Sequence, residues 1–135
     1  MNARRLPEAQ AWRMAATNRT ELFQTLDQGA RIGLIARSSP AQMLVWEVGA
    51  VGIEVRDTTF LGYSASGVDL LLAADDEALA EIAAAVHGPL FEVLRAGIRR
   101  GSLVCYMLRR RCDLETLGYD ELLEALGFAF MGACR

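Results

Sequence analysis

Apolar positions change period twice along the chain. They fall at helical spacing up to residue 28, alternate as in strands from Ile32 to Ala73, and return to helical spacing from Asp75. In the first segment, 7–28, Pro7 suits a first helical position. Asn18 with Glu21 three residues on resembles a capping box, so a new helix start is expected there. Leu22, Phe23 and Leu26 form one apolar face, and Gly29 is the expected stop.

The middle segment predicts strands. Ile32–Ala36 is closed by Ser38, Ser39 and Pro40. Met43–Val48 and Val51–Arg56 flank Gly49 and Ala50, and glycine first in a two-residue loop suits a type II′ turn. That register sets Val48 beside Val51, Trp46 beside Ile53 and Leu44 beside Val55, all on one face. Glu47, Glu54 and Arg56 share the other face with Met43 and Val45. A slip of one residue would mix the faces. Phe60–Tyr63 and Val68–Ala73 are two further strand candidates around Ser64–Gly67, and an antiparallel β-meander of four to five strands is the simplest arrangement.

Asp75, Asp76 and Glu77 suit a helix N-terminus, where carboxylates meet the positive end of the dipole. Leu79, Ile82, Ala83 and Val86 make a stripe, ended by His87, Gly88 and Pro89. Leu90–Arg100 reads as a second helix, and helical spacing can be followed past Gly101 to Cys112. Asp113–Leu117 is a short piece broken at Gly118, and Asp120–Ala133 is the last helix. The hexapeptides 114–119 (Leu-Glu-Thr-Leu-Gly-Tyr) and 123–128 (Leu-Glu-Ala-Leu-Gly-Phe) repeat at nine residues, too short for a solenoid unit, and read as two similar helix ends. The expected fold is α+β in one domain, 1–135: an N-terminal helix, the meander, and a helical C-terminal half packed on one sheet face.

Composition narrows the chemistry. The chain of 135 residues is 53% apolar, enough for a core. All 14 basic residues are arginine. The absence of lysine excludes a Walker-type phosphate loop, a Schiff-base lysine and a kinase β3 lysine. Arginine stays protonated and serves neither as base nor as nucleophile. The dominance of Ala, Leu, Arg and Gly points to codon bias as the cause, and the exclusion holds regardless. The longest wholly apolar runs, Leu70–Ala74 and Ala83–Val86, are far shorter than the ~18–20 residues of a membrane span. The N-terminus lacks the apolar core of a signal peptide. Three cysteines with no paired spacing fit a reducing compartment, so a cytoplasmic protein is expected.

Arg95, Arg99, Arg100, Arg109, Arg110 and Arg111 lie in an interval without acids, between Glu92 and Asp113. Asp69–Glu92 before it holds six acids and no base, and Asp113–Glu124 after it holds five acids and no base. One reading is an anion- or partner-binding face on an arginine-rich helix 95–111, because arginine forks suit phosphate and carboxylate. The other is intramolecular pairing with the flanking acidic helices, at ~0–1 kcal/mol per exposed pair. A net charge of −3 and a pI near 5.2 oppose a dedicated nucleic-acid binder, and Tyr106 is the sole aromatic among the arginines.

Other candidates are weaker. Cys105 and Cys112 would share a helical face, with flanking arginines able to lower a thiol pKa, and Cys134 would complete a thiolate set. Small hydrophobes on an apolar stripe are the favoured reading. No zinc spacing is present, and no metal or cofactor is expected. His87 fits a helix stop. Gly62–Gly67 misses the nucleophile elbow, because position 66 is serine. The acids at 75–77 do not converge on one point. The C-terminal segment is apolar on much of its circumference. Tyr119, Phe128, Phe130 and Met131 are its candidate interface anchors, with core packing as the competing reading.

The resulting expectation is a non-enzymatic interaction protein: an adaptor, chaperone-like or regulatory subunit that contacts a protein partner or itself. The alternatives are a nucleic-acid-binding regulator using 95–111, and a small enzyme or cofactor carrier using arginine to hold an anionic ligand.

Overall fold

The computed structural model describes residues 5–128. The elements run α1 (Ala9–Thr17), a 3-10 turn (Thr20–Leu22), β1 (Arg31–Ala36), β2 (Gln42–Val48), β3 (Ile53–Thr59), β4 (Leu70–Ala74), α2 (Asp76–Ala85), α3 (Leu90–Arg100), β5 (Leu103–Met107), α4 (Arg111–Thr116) and α5 (Asp120–Ala125). The fold is α+β, with one five-stranded mixed sheet in the order β3-β2-β1-β4-β5.

The sheet departs from a pure meander at one pairing. β1 is antiparallel to β2 but parallel to β4, with Ile32 opposite Leu70 and Ala36 opposite Ala74. β4 is Leu-Leu-Leu-Ala-Ala and wholly buried. A strand apolar on both sides is stable only where both faces are covered, which sends it to the sheet interior beside β1. The connection from β3 therefore passes over to the other side of β1. Phe60–Tyr63 lies in that connection and is not a strand.

The β2–β3 hairpin forms in a register two residues from the expected one. Val48 pairs with Ile53, Trp46 with Val55 and Leu44 with Asp57. Gly49 N–H donates to Gly52 C=O at 2.8 Å, closing a four-residue loop. A shift of two leaves every side chain on its expected face, so the apolar pattern cannot separate the two registers. Burial does separate them: Ile53 is 8% exposed and Val51, at the tip, is 98% exposed.

The helical segments are shorter than their periodicity suggests. In 7–28 the helix stops at Thr17, with Asn18 as its C-cap, and the turn after it has no side-chain cap. The Asn18–Glu21 capping box is absent. α2 begins as expected: the Asp75 carboxylate accepts from Ala78 N–H at 2.8 Å. Leu79, Ile82 and Val86 are buried on its stripe, and Ala83 is exposed.

The helix beginning at Leu90 ends at Arg100, where Gly101 takes the left-handed conformation. Beyond that glycine the chain extends into β5, paired antiparallel with β4 from Leu70–Met107 to Ala74–Leu103. The expected helix 95–111 is thus a helix, an edge strand and the start of α4.

The hexapeptide repeat is two copies of one helix stop. Gly118 and Gly127 have φ +89° and +99°. Tyr119 and Phe128 N–H donate to Leu114 and Leu123 C=O, while Gly118 and Gly127 N–H donate to Glu115 and Glu124 C=O. Both are Schellman motifs. The last helix accordingly ends at Ala125, short of the expected Ala133.

The main core lies between the helices and one sheet face. Trp12 stacks on Trp46 with centroids 4.1 Å apart, and Phe23 and Phe91 pack around Trp46 at 5.4 and 5.7 Å. The opposite face carries a smaller cluster of Ile35, Met43, Val45, Val68, Leu71 and Ala73, with Phe60 and Leu108 against it. Gly33 makes room there: a Cβ would come within 2.7 Å of Met43 Sδ.

Candidate binding cleft

An open cleft of about 350 Å3 lies where α1 and the 3-10 turn meet the β2–β3 loop. Its apolar lining comes from Phe23, Leu26, Val48, Val51 and Ile53, and its polar lining from Arg13, Thr17, Thr20 and Gln24. Clefts that take small molecules are commonly ~300–1,000 Å3 and mostly apolar, with a few placed polar groups. Phe23 connects this lining to the aromatic core, because it also packs edge-on against Trp46. The hairpin register creates the feature: the four-residue loop lifts Val51 out of the sheet and leaves Ile53 behind it.

Arg13 is the only charged residue in this lining. It is exposed on α1, and its Nε donates to Ile53 C=O at 3.2 Å. Among the described residues it has no carboxylate partner. One nitrogen thus fixes the guanidinium to the strand end, and the remaining N–H groups of the fork face no acid.

The six arginines of 95–111 are distributed over two helices and a loop. Arg100 pairs with Glu81, Arg109 with Asp69 at 3.0 Å, and Arg110 with Asp113 at 3.4 Å. These partners belong to the two flanking acidic zones, so the intramolecular reading describes three of the six. Arg111 also has a partner. Arg95 and Arg99 are exposed on α3 and have no ion-pair or hydrogen-bond partner among the described residues.

The four candidate interface residues have different fates. Tyr119 is fully buried, which conflicts with a role as an exposed anchor. Phe128 is half-buried against the main core. Phe130 and Met131 lie outside the described residues, as does Cys134.

Tyr119 belongs to a buried polar hub that the sequence pattern did not reveal. Asp69, 6% exposed, accepts from Tyr119 Oη at 2.6 Å, Arg109 Nε at 3.0 Å and Arg31 N–H at 3.0 Å. Burial and the neighbouring Asp69 carboxylate push the Tyr119 hydroxyl pKa well above its ordinary value, keeping it a donor. The hub joins β1, the start of β4, the end of β5 and the start of α5. Asp69 read as one acid of an acidic zone, and nothing in one-dimensional spacing brings it to a tyrosine fifty residues away.

The candidate thiol and imidazole do not form a reactive pair. Burial pushes the Cys105 thiol up to about 12, opposite to the shift a nucleophilic thiolate needs. Cys112 is not a free thiol. His87 is exposed beyond the end of α2 and has no hydrogen-bond partner among the described residues. Among those residues no three His, Cys, Asp or Glu side chains are grouped to hold a metal, and no helix is long and apolar enough to cross a membrane.

No protein-family model and no curated protein matches the sequence. Among the solved structures similar to this chain is a "UbiJ-SCP2 Ubiquinone synthesis protein", which matches over 87% of this chain and 81% of its own, at 15% identity and a TM-score of 0.45. At that level the likeness carries no functional argument.

Proposed function

We propose that this domain is a non-enzymatic binding module that holds a small amphiphilic anion in the cleft between α1 and the β2–β3 loop. The observation that carries this reading is the pairing of an apolar lining with Arg13, a cation with no acidic partner among the described residues. An apolar tail would cover Val51, 98% exposed, and lie over Phe23, Leu26 and Ile53, which are already buried. Covering Val51 alone contributes ~1.5 kcal/mol. A carboxylate or sulfonate would accept from the free side of the Arg13 fork, with the Nε–Ile53 bond holding the guanidinium in place. This specifies the carrier alternative, in which arginine holds an anionic ligand.

The test is calorimetric titration with dodecanoate below its micelle concentration. Saturable one-to-one binding is expected, weakened about tenfold by Arg13→Gln, the loss of one charge-assisted contact. Val51→Asp should abolish it by setting a like charge in the apolar wall. Both side chains are exposed, so circular dichroism should be unchanged. Equal affinity in wild type and both variants would overturn the reading. The second reading, a protein-interaction module, is favoured by a different observation at the far edge of the sheet.

A further inference from the structure

The two outer strands of the sheet are protected differently. β3 carries Glu54, Arg56 and Asp57, and Arg13 donates into its first carbonyl. Charges on an edge strand discourage a foreign strand from pairing. β5, Leu-Val-Cys-Tyr-Met, has no charge, and among the described residues no strand lies on its outer side.

The ladder tells which groups of β5 are unused. Leu108 N–H donates to Asp69 C=O and Asp75 N–H to Ser102 C=O, both at the ends of the β4–β5 pairing. Antiparallel pairs alternate between hydrogen-bonded and non-bonded. Val104 and Tyr106 therefore bond inward to β4. The N–H and C=O groups of Leu103, Cys105 and Met107 point away from β4, and those of the part-exposed Cys105 and Met107 have no partner among the described residues, whereas Leu103 is covered, at 1% exposure.

Cations flank this strand at both ends. Arg99 and Arg100 precede it, and Arg109, Arg110 and Arg111 come after it. Arg37, paired with Asp75 at 3.6 Å, adds a third cation at the first end and donates to Gly101 and Ser102 C=O at 3.1 and 3.2 Å. Arg99 has no partner among the described residues, and the Arg110–Asp113 contact is exposed. Such exposed pairs exchange readily, because each is worth only ~0–1 kcal/mol. A second copy is a poor occupant. A two-fold centred on Cys105 would bring the arginines at one end of β5 toward those at the other end of its copy, and bringing like charges together is unfavourable.

We propose that the outer edge of β5 takes an extended peptide from a partner protein by strand addition. The segment recognised has about five uncharged, β-prone residues with Asp or Glu on both sides. Backbone bonds to Cys105 and Met107 supply the pairing, and the flanking arginines supply polarity and selection. The site is on the opposite side of the sheet from the Arg13 cleft and does not depend on it.

The probe is the peptide acetyl-Glu-Glu-Val-Thr-Val-Thr-Val-Glu-Glu-amide, compared with the same peptide carrying lysine for glutamate. The glutamate peptide is expected to bind at least about tenfold tighter, with affinity falling as salt rises. Backbone hydrogen exchange should slow at Cys105 and Met107 on binding and stay unchanged at Val104 and Tyr106. Arg99→Glu with Arg110→Glu, both exposed, should reverse the preference between the peptides. Met107→Pro removes one outward N–H while sparing the β4 ladder, and should weaken both. Equal affinity for the two peptides, or free exchange at Cys105 and Met107 under saturating peptide, would overturn the proposal. So would a dimer in which those same amides are protected without peptide, because the edge would then belong to a second copy.

Discussion

The two faces of the sheet bury side chains by different means. On the helix face Leu34, Leu44, Trp46, Leu70, Leu72 and Leu103 meet Trp12, Phe23, Leu79, Phe91 and Leu94 from the helices. On the other face six buried residues are covered by a loop and by charge. Glu47 accepts from Arg56 and, at 3.3 Å, from Arg31, a triad that crosses β3, β2 and β1. Phe60, Tyr63 and Tyr106 form an edge-on aromatic series beside it, at 5.6 and 4.9 Å. A helix covers a sheet with rigid packed side chains, whereas a loop and an ion triad cover it with groups that can shift. The first face is therefore expected to lose more stability than the second when a buried side chain is truncated.

That contrast can be broken most directly by truncation. Trp46→Ala removes the ring at the centre of the aromatic cluster and the bond that Trp46 Nε1 donates to Trp12 C=O at 2.6 Å. It should cost ~3–5 kcal/mol, at the high end for a core aromatic. Met43→Ala, as buried on the other face, should cost ~2 kcal/mol, because the loop can settle into the space. Urea denaturation of both variants measures the difference, and equal losses would erase the distinction between the faces.

The hub at Asp69 lies where the two faces meet at one end of the sheet. Tyr119→Phe removes one donor to a carboxylate and leaves the other two. The expected loss is ~1.5–3 kcal/mol, readable as a lower midpoint in urea. An unchanged midpoint would make the hub incidental to stability.

The smallest effect concerns pH and belongs to the ion triad. The hydrogen bond from Arg56, with the charges of Arg31 and Arg56, holds the Glu47 carboxyl below the ordinary glutamate value despite the opposing effect of burial. A depressed native pKa means that the unfolded chain binds the proton more readily. The stability from Glu47 is therefore fully present above the unfolded value of 4.5 and is lost as pH falls through the lower native value. Glu47→Gln should flatten the stability curve below that point and leave the helix-face variants unaffected. An identical acid profile in wild type and variant would leave the triad with no part in holding the second face.

Much of this architecture is legible in one dimension where the controlling interaction is local. The start of α2 rests on Asp75 reaching its own helix, and the two hexapeptides encode their Schellman stops within six residues each. The facing of β2 and β3 follows from alternation alone. β5 was not legible, because Cys105, Leu108 and Cys112 also fit a helical stripe with Leu94 and Ile98. Only the ladder to β4 makes Leu103–Met107 extended. The cleft was hidden for a related reason: it depends on a two-residue register choice to which the apolar pattern is blind. Arg13 carried no sequence signal, being one arginine outside the cluster.

The sequence by itself determined the α+β class, the apolar faces of β2 and β3, the start of α2, the repeated helix stops and the absence of any lysine chemistry. Each follows from residue type or from contacts within a few positions. Tertiary structure decided the parallel seating of β4 beside β1, the conversion of 103–107 to an edge strand, the burial of Tyr119 against Asp69, and the self-pairing of Arg100, Arg109 and Arg110. These are choices among locally equivalent conformations. The free energy of pairing and burial selects among them, and it acts between segments that only the folded chain brings together.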